Sequence, residues 1–506
     1  MVKRSSGELL FGLRVDRALP VSVTTQLYGA IRDLIAEGAL SPGRRLPSSR
    51  TLATELGVSR TTAIAVYERL LSEGLIEART GSGSYVSDQA ASQRPQASLR
   101  AAESGDASDT EPAGASVSQA ILAASGRFVP RLPHPQKPRA FVTGMPDYDS
   151  FPLAIWARLT ARHWRGTREV VLGYGDPEGD ARLRRAIAGH LRANRGISCD
   201  EDQIFITAGA QQAFDLIGRV LLNPGDKVWF EDPGAIGARN SLTATGARLV
   251  PVPVDGEGLN VAQALARAPD FRLAFVTPSH QHPTGAEMSL ARREALLAAA
   301  GQAGAWIIED DYDGEFRYDG RPLPTLVSGD RAGRVIYVGT FSKSLFPALR
   351  LGFYIAPRPL VPVFAAISRA FLQGVSTEVQ AVLAAFIEEG HFATHLRRMR
   401  EIYALRHAAF HRAAAEHLTG LLDCSRSQAG FHILGRFADT RLRETEVLKA
   451  ARAAGLVVSG LGSFSSAGPD PQNGGGLVLG VTAIPPAAIE RGVADLARVL
   501  RSCLQP

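Results

Sequence analysis

Cysteine is nearly absent from this chain: only Cys199, Cys424 and Cys503 occur in 506 residues, at no spacing that suits a metal. Neither a disulfide framework nor a zinc site is therefore expected, and a reducing compartment fits. Long apolar runs are missing too. Met1 to Leu13 has no extended apolar core followed by a small-residue cleavage site, and no later stretch is long enough to span a bilayer. The expectation is a soluble, cytoplasmic protein with no membrane partner. Charge of one sign is also scarce. The 56 Lys and Arg against 50 Asp and Glu leave a net charge of +6, a mild preference for anionic partners that says nothing about fold. Over residues 1–88 the count is 11 basic against 9 acidic, so charge alone marks no anion-binding region and pattern has to. No repeat of solenoid length occurs. What the chain does have is length and apolar content, 45% of its residues, enough for two or more domains with their own cores.

Residues 1–88 read as a small helical domain ending in a hairpin. Leu27, Ala30, Ile31, Leu34 and Ile35 share one helical face, and Gly38 followed by Pro42-Gly43 ends that helix. Ser48 caps a short second helix with Leu52, Ala53 and Leu56 inside, and Gly57 permits the turn that follows. A third helix starts at Ser59. It buries Ala63, Val66, Tyr67, Leu70 and Leu71 and leaves Arg60 and Thr61 outward. Leu75–Ala78 and Ser84–Ser87 then form two strands joined through Arg79-Thr80-Gly81-Ser82-Gly83, whose glycines let backbone amides approach a phosphate. This order is that of a winged helix-turn-helix, in which the third helix enters a major groove.

The string PGRRLPSSRTLATELGVSRTTAIAVYERLLSEGLIEARTGSGSYV resembles the GntR superfamily of bacterial regulators along its whole length. The resemblance implies binding to double-stranded operator DNA through Arg50 at the start of the second helix, Ser59, Arg60 and Thr61 at the tip of the third, and Thr80 and Gly81 in the wing. An arginine at such a tip either reads guanine bidentately or clamps a phosphate. Arg44 and Arg45 read as solvated or backbone-facing.

Residues 89–138 shift to Ala, Ser, Gln, Pro and Gly with weak periodicity. They read as a flexible linker, stiffened locally by Pro130, Pro133, Pro135 and Pro138. Beyond it, apolar runs at 203–207, 227–231, 248–254, 273–277, 305–310 and 335–339 alternate with helical stretches such as 211–222 and 289–301. That alternation predicts a mostly parallel sheet covered on both faces. Residues 139–506 thus form one α/β domain, with a large lobe at 165–370 and a small lobe mainly at 376–506.

Three elements of this domain suit pyridoxal phosphate, which needs an amine for a Schiff base, an acid opposite its ring nitrogen, and amides and hydroxyls for its phosphate. Gly339-Thr340-Phe341-Ser342-Lys343 follows a strand, and Arg350 lies seven residues beyond Lys343. Lys343 is the Schiff-base candidate, with Thr340, Ser342 and Arg350 directed to the phosphate. Asp310 ends another strand and Tyr312 sits two residues on, a spacing for a carboxylate on the ring nitrogen and a phenol on the 3′ oxygen. Asp311 and Asp313 read as solvated turn acids. Thr207 to Gln212 joins a strand to a helix, so the amides of Gly209, Ala210 and Gln211 make a helix-start anion site.

From Tyr174 to Phe353 the segments GYGDPEG, TAGAQQAF, EDPG, TPSHQHPTG, EDDYDGEF and GTFSKSLFPALRLG resemble fold-type I aminotransferases, and in detail the aminotransferase-like domain of MocR-type regulators. With the GntR-like module in front, that family accounts for essentially the whole chain. The resemblance implies a PLP-dependent transferase-like fold, a head-to-tail homodimer, and Tyr174 touching the phosphate bound by the partner subunit. Three positions depart from pattern. His282 stands where aminotransferases place Asn before Pro-Thr-Gly, Ala235 where MocR-like proteins often place a stacking aromatic, and Val478 near where aminotransferases hold the substrate carboxylate with Arg. The expected function is a regulator that senses an amine, an amino acid or a PLP-related effector through an imine at Lys343, with slow or absent transamination. The alternative is an active aminotransferase with an appended DNA-binding domain. A third reading, an architectural DNA binder with a dead fold, would carry no cofactor.

Overall fold

The computed structural model describes residues 13–88, 118–132, 135, 137–318, 324–426, 429–468 and 475–505. The chain divides into two bodies, residues 1–115 and 116–506.

In the first body, helices α1 (Val23–Ala36), α2 (Ser49–Glu55) and α3 (Arg60–Ser72) precede a hairpin of β1 (Ile76–Arg79) and β2 (Gly83–Val86). Each helix starts at a serine, Ser22, Ser48 or Ser59, whose hydroxyl accepts the amide three residues on. Such a cap satisfies a donor that the helix itself cannot, and is worth about 1 kcal/mol. Leu27, Ile31, Leu52, Ala63, Val66 and Leu70 fill the core. Leu71, expected inside, is 37% exposed, and Tyr28 is buried instead, its hydroxyl donating to Glu73. The arc of α3 that meets α1 is narrower than the apolar spacing suggested, and a tyrosine fits its edge because its polar end reaches a carboxylate. The main chain of Arg44 to Leu46 pairs with β2: Val86 N–H donates to Arg44 O and Leu46 N–H to Ser84 O.

The second body begins earlier than the sequence suggests. Residues 89–117 of the expected linker lie outside the described residues, but 118–132 are not free chain. Helix α4 (Gln119–Ser125) packs on a helix of the large lobe, α9 below, and Val129 and Leu132 join an apolar cluster with residues of both lobes. Helical periodicity could not reveal this docking, because it rests on a side chain gripping the backbone more than a hundred residues away.

The large lobe contains α5 (Leu153–His163), α6 (Arg168–Leu172), α7 (Ala181–Arg195), β3 (Ile204–Thr207), α8 (Ala210–Leu221), β4 (Lys227–Asp232), α9 (Ile236–Ala244), β5 (Arg248–Asp255), β6 (Gly258–Leu259), β7 (Leu273–Val276), β8 (Trp306–Asp310), β9 (Val335–Thr340) and β10 (Gly352–Ile355). The eight strands lie in the order β3-β10-β9-β8-β7-β4-β5-β6. The central pairs are parallel, as expected, whereas β10 runs antiparallel to both β3 and β9. Every residue of β3, β7, β8 and β10 is buried, the mark of strands covered on both faces. The carboxyl ends of β3, β4, β7, β8 and β9 share one edge of the sheet, where ligands of open α/β folds bind.

The small lobe is a four-stranded antiparallel sheet in the order β11-β12-β14-β13, from β11 (Leu422–Cys424), β12 (His432–Phe437), β13 (Ser459–Gly460) and β14 (Gly476–Gly480). Helices His391–His417 and Pro486–Ser502 cover it. Phe141 bridges Gly480, and its ring is buried in this lobe's core.

Among the described residues, no helix is long and apolar enough to cross a membrane.

Candidate cofactor site and DNA-reading face

Lys343 lies in the short helix Phe341–Ser344 that follows β9. Its amine donates to the carbonyl of Gly144, 2.7 Å away. Burial lowers its pKa, and the negative charges of Asp313 and Asp310 partly restore it. Thr340 caps this helix, its hydroxyl accepting from Ser342 N–H at 3.2 Å.

Asp310 closes β8 with its carboxyl buried and Oδ1 without a partner. Desolvation, then repulsion from Asp311 and Asp313, pushes its pKa well above the usual carboxylate range. An unpaired buried carboxyl is costly unless a cation arrives, which is what a protonated ring nitrogen supplies. Tyr312 donates its hydroxyl to His280 O, 3.0 Å away, and the same oxygen lies 3.0 Å from His280 Nδ1.

Gly209 caps α8, so the amides of Ala210 and Gln211 are among those a helix leaves free at its start. Arg350 holds this turn, donating to Ala208 O at 2.9 Å. Arg350 itself has φ +50, a conformation that costs a non-glycine residue free energy and recurs at ligand sites. Behind the turn Gly352 comes so close that a Cβ there would lie 2.9 Å from Ala210 N; only glycine lets β10 support the cradle.

The structure thus gathers Gly209, Ala210, Gln211, Asp310, Tyr312, Thr340, Ser342, Lys343 and Arg350 on the edge formed by β3, β8 and β9. Tyr174 is different: it is 90% exposed, in a run with exposed Val170 and Leu172.

Two readings need correction. Asp311 and Asp313 are not solvated. Asp311 is 8% exposed, accepting from Arg195 at 2.5 Å and from Tyr337 at 2.7 Å, and Asp313 is 2% exposed, 2.9 Å from His280. They are buried because Arg195 and His280, remote in sequence, fold back onto them.

Sequence reasoning also missed several supporting groups. Glu231 is fully buried and accepts from Thr277 and Gln281; burial pushes it up to about 7. His282, singled out as a departure, is enclosed beside Tyr312, His432 and Phe464. Its Nδ1 has no partner, and burial, aided by the Lys343 charge, lowers its pKa to about 3, so the ring is neutral. Val478 is fully buried against Ile236, Leu434 and Phe464, so that position offers an anion nothing. Ala235 is buried at the start of α9 and provides no ring face. The clue to Gln281 and His282 was their place before Pro-Thr-Gly; nothing local marked Gly144 or His280.

The donor set fits pyridoxal phosphate: an amine whose pKa burial lowers, an orphaned acid, and a helix start with a guanidinium.

In the first body, Arg50, Ser59, Arg60, Thr61, Thr80 and Gly81 are all exposed. Ser59 spends its hydroxyl on the cap of α3, bonding Thr62 N–H at 3.0 Å. Arg50, Arg60 and Thr61 form no ion pair or side-chain hydrogen bond among the described residues and are free to meet a polyanion.

Residues 23–86 match the bacterial regulatory proteins of the gntR family, and residues 141–473 match aminotransferase class I and II. The chain is 40% identical over 485 residues to a probable rhizopine catabolism regulatory protein MocR of Rhizobium meliloti, covering 96% of this chain and 95% of that one. It is 34% identical over 496 residues to the HTH-type transcriptional regulator TauR of Rhodobacter capsulatus, covering 94% and 96%. Among solved structures, a Pyrococcus horikoshii kynurenine aminotransferase is similar with a TM-score of 0.67 and 27% identity, over 72% of this chain and 91% of that one. A gntR-type DNA-binding module joined to a pyridoxal-phosphate aminotransferase fold, matched along nearly its whole length by regulators of that build, places the chain in the MocR-type family of transcriptional regulators.

Proposed function

We propose that this chain is a cytoplasmic, head-to-tail homodimeric regulator that senses an amine, an amino acid or a PLP-related compound at Lys343 and turns over little or no substrate. Pyridoxal phosphate, when bound, supplies an aldehyde carbon for amines and an electron-withdrawing ring. The chain's residues do the rest. Lys343 is the amine that holds the cofactor, and Gly144 O orients it. Asp310 would hold the ring nitrogen's proton, and Tyr312 would offer its hydroxyl to the 3′ oxygen. The amides of Gly209, Ala210 and Gln211, the hydroxyls of Thr340 and Ser342, and Arg350 bind the phosphate. Tyr174, on an exposed apolar run, reaches the partner subunit's phosphate. In the first body Arg50, Ser59, Arg60, Thr61, Thr80 and Gly81 contact the operator.

The observation that carries the sensing role is Val478, fully buried in an apolar cluster. Without a cation at that position, the apolar cluster around Val478 gives an α-carboxylate no partner for repeated proton transfer. An effector must instead act by stabilising one of two conformations of the protein.

The aminotransferase alternative keeps one observation in its favour: Lys343 has a pKa lowered by burial, as a proton-transferring lysine requires. The test is to add candidate amines and amino acids to the cofactor-loaded protein while recording absorbance, operator affinity and keto-acid release together. A spectral shift with altered operator affinity and less than one keto acid per site supports the regulator. Sustained keto-acid release with unchanged operator affinity establishes the enzyme.

A further inference from the structure

The end of the interdomain connector docks beside the cofactor cradle, on a line between the two lobes. Asn240 of α9 grips the main chain of one residue of it twice: Val129 N–H donates to Asn240 Oδ1 at 2.9 Å, and Asn240 Nδ2 donates to Val129 O at 2.8 Å. Val129 and Leu132 pack against Ile236 of α9 and against Leu434, Phe464 and Val478 of the small lobe. Between them Arg131 reaches the side-chain oxygen of Gln211, the third residue of the cradle. Gln211 Nε2 in turn donates to Gly237 O at 2.8 Å and to Ser241 on α9. A Cβ at Gly237 would lie 2.6 Å from Gln211 Oε1 and 3.3 Å from Arg131 Nη2, so a side chain there would displace the ends of both.

Arg131 is exposed and has no carboxylate partner among the described residues. A neutral amide therefore holds a full cation one side chain away from the helix start that takes an anion. A phosphate held at that helix start would strengthen the arrangement in two ways: it would order Gln211 through its amide, and its charge would attract the guanidinium. The same segment is covalently continuous with the DNA-binding body.

We propose that Arg131 is a positioning residue that ties the docking of residues 118–132 to occupancy of the phosphate cradle, so that the connector is held when the cofactor is bound and loosened when it is not. The proposal rests on the reading of Gly209 to Gln211 as the phosphate site. Linkage makes it quantitative. Whatever factor the cofactor contributes to connector docking, docking must contribute to cofactor affinity.

The experiment is amide hydrogen exchange on the full-length protein, stripped of cofactor and loaded with pyridoxal phosphate, for wild type and for Arg131→Ala, Arg131→Lys and Asn240→Ala. Loading is expected to slow exchange across 118–132 roughly tenfold, a coupling within the common range of about 5- to 150-fold. Arg131→Ala and Asn240→Ala should cut that effect below about twofold and weaken cofactor binding by the factor lost, and Arg131→Lys should retain part of both. Equal exchange in stripped and loaded wild type, with normal imine absorbance, overturns the proposal and leaves the cradle reading intact. Undiminished coupling in Arg131→Ala overturns it as well. Wild-type protein that binds pyridoxal and pyridoxal phosphate equally overturns the cradle reading, and the proposal with it.

Discussion

The two bodies of this protein prepare opposite kinds of surface for anionic ligands. In the DNA-binding body every candidate contact residue is exposed, with Arg50 and Arg60 free of ion pairs among the described residues. In the aminotransferase-like body Asp310 and His282 are enclosed, each with an unpartnered polar atom, and the amine of Lys343 is desolvated. The difference follows from the ligand. A duplex keeps its phosphates in water and is met by accessible cations that displace counterions. The ring of a cofactor is removed from water, so its partners are desolvated beforehand, at a cost that the ligand's own charges offset, while Arg350 at the phosphate end stays exposed.

The largest effect that would test this contrast is loss of the enclosed amine. Lys343→Ala should abolish the imine absorbance completely while the stripped protein binds operator DNA as wild type does. Borohydride trapping of the cofactor on another lysine would break the assignment. Next, Asp310→Asn should weaken cofactor binding on the order of 100-fold or more, as removal of one member of a buried ion pair does. The same substitution should raise the thermal midpoint of the stripped protein at pH 8, because the wild-type carboxyl resists ionisation there. An unchanged or lower midpoint would mean that Asp310 is not strained by burial. On the exposed side, Arg60→Ala should cost about 1–3 kcal/mol of operator binding if it reads a base, and should leave cofactor spectra untouched. Normal binding across a salt titration would remove this helix tip from the interface.

The smallest effect is the pH dependence of the second body. Burial lowers His282 and His407 to about 3 and His395 to about 4, against about 6.5 when unfolded. A depressed histidine contributes stability that is present above about 6.5 and lost as pH falls toward its folded value. Glu231 and Glu309, pushed up to about 7 by burial, act in the other direction. Their contribution is complete below about 4.5 and is lost as pH rises through 7. His432 is lowered in the same way and Asp310 raised like the glutamates, so these histidines outnumber the raised carboxyls four to three below 6.5, and the thermal midpoint should peak near pH 6.5 and fall on both sides. His407→Gln should flatten the acid limb. A midpoint that rises between pH 6.5 and 5 would contradict these buried states.

Legibility in the sequence followed the range of the interactions. Helix caps at Ser48 and Ser59 and the apolar strands around the site are local patterns, and the residues that end β3, β8 and β9 could be read from them. Strand β10 could not. Direction in a sheet is settled by partners, and Gly352–Ile355 carries no local sign of running against its neighbours. Asp311 and Asp313 look like any turn acids, because their partners lie 116 and 33 residues away. Residues 128–132 lack periodicity and so read as linker. Burial, too, is a property of the assembled lobes, which is why Val478 could be noticed as an absent arginine but not as part of an apolar seal.

The grip of Asn240 on Val129 has a consequence for how such a protein diverges. Both hydrogen bonds go to the main chain, so the instruction to dock resides in α9 and only weakly in the segment that docks. Residues 128–132 other than Arg131 can therefore drift in sequence without losing their place, provided that positions 129 and 132 stay apolar enough to fit and position 240 keeps its amide. In a lineage of such proteins the connector would look variable around Arg131 while its track remained fixed, and the residue that sets the track would be the asparagine.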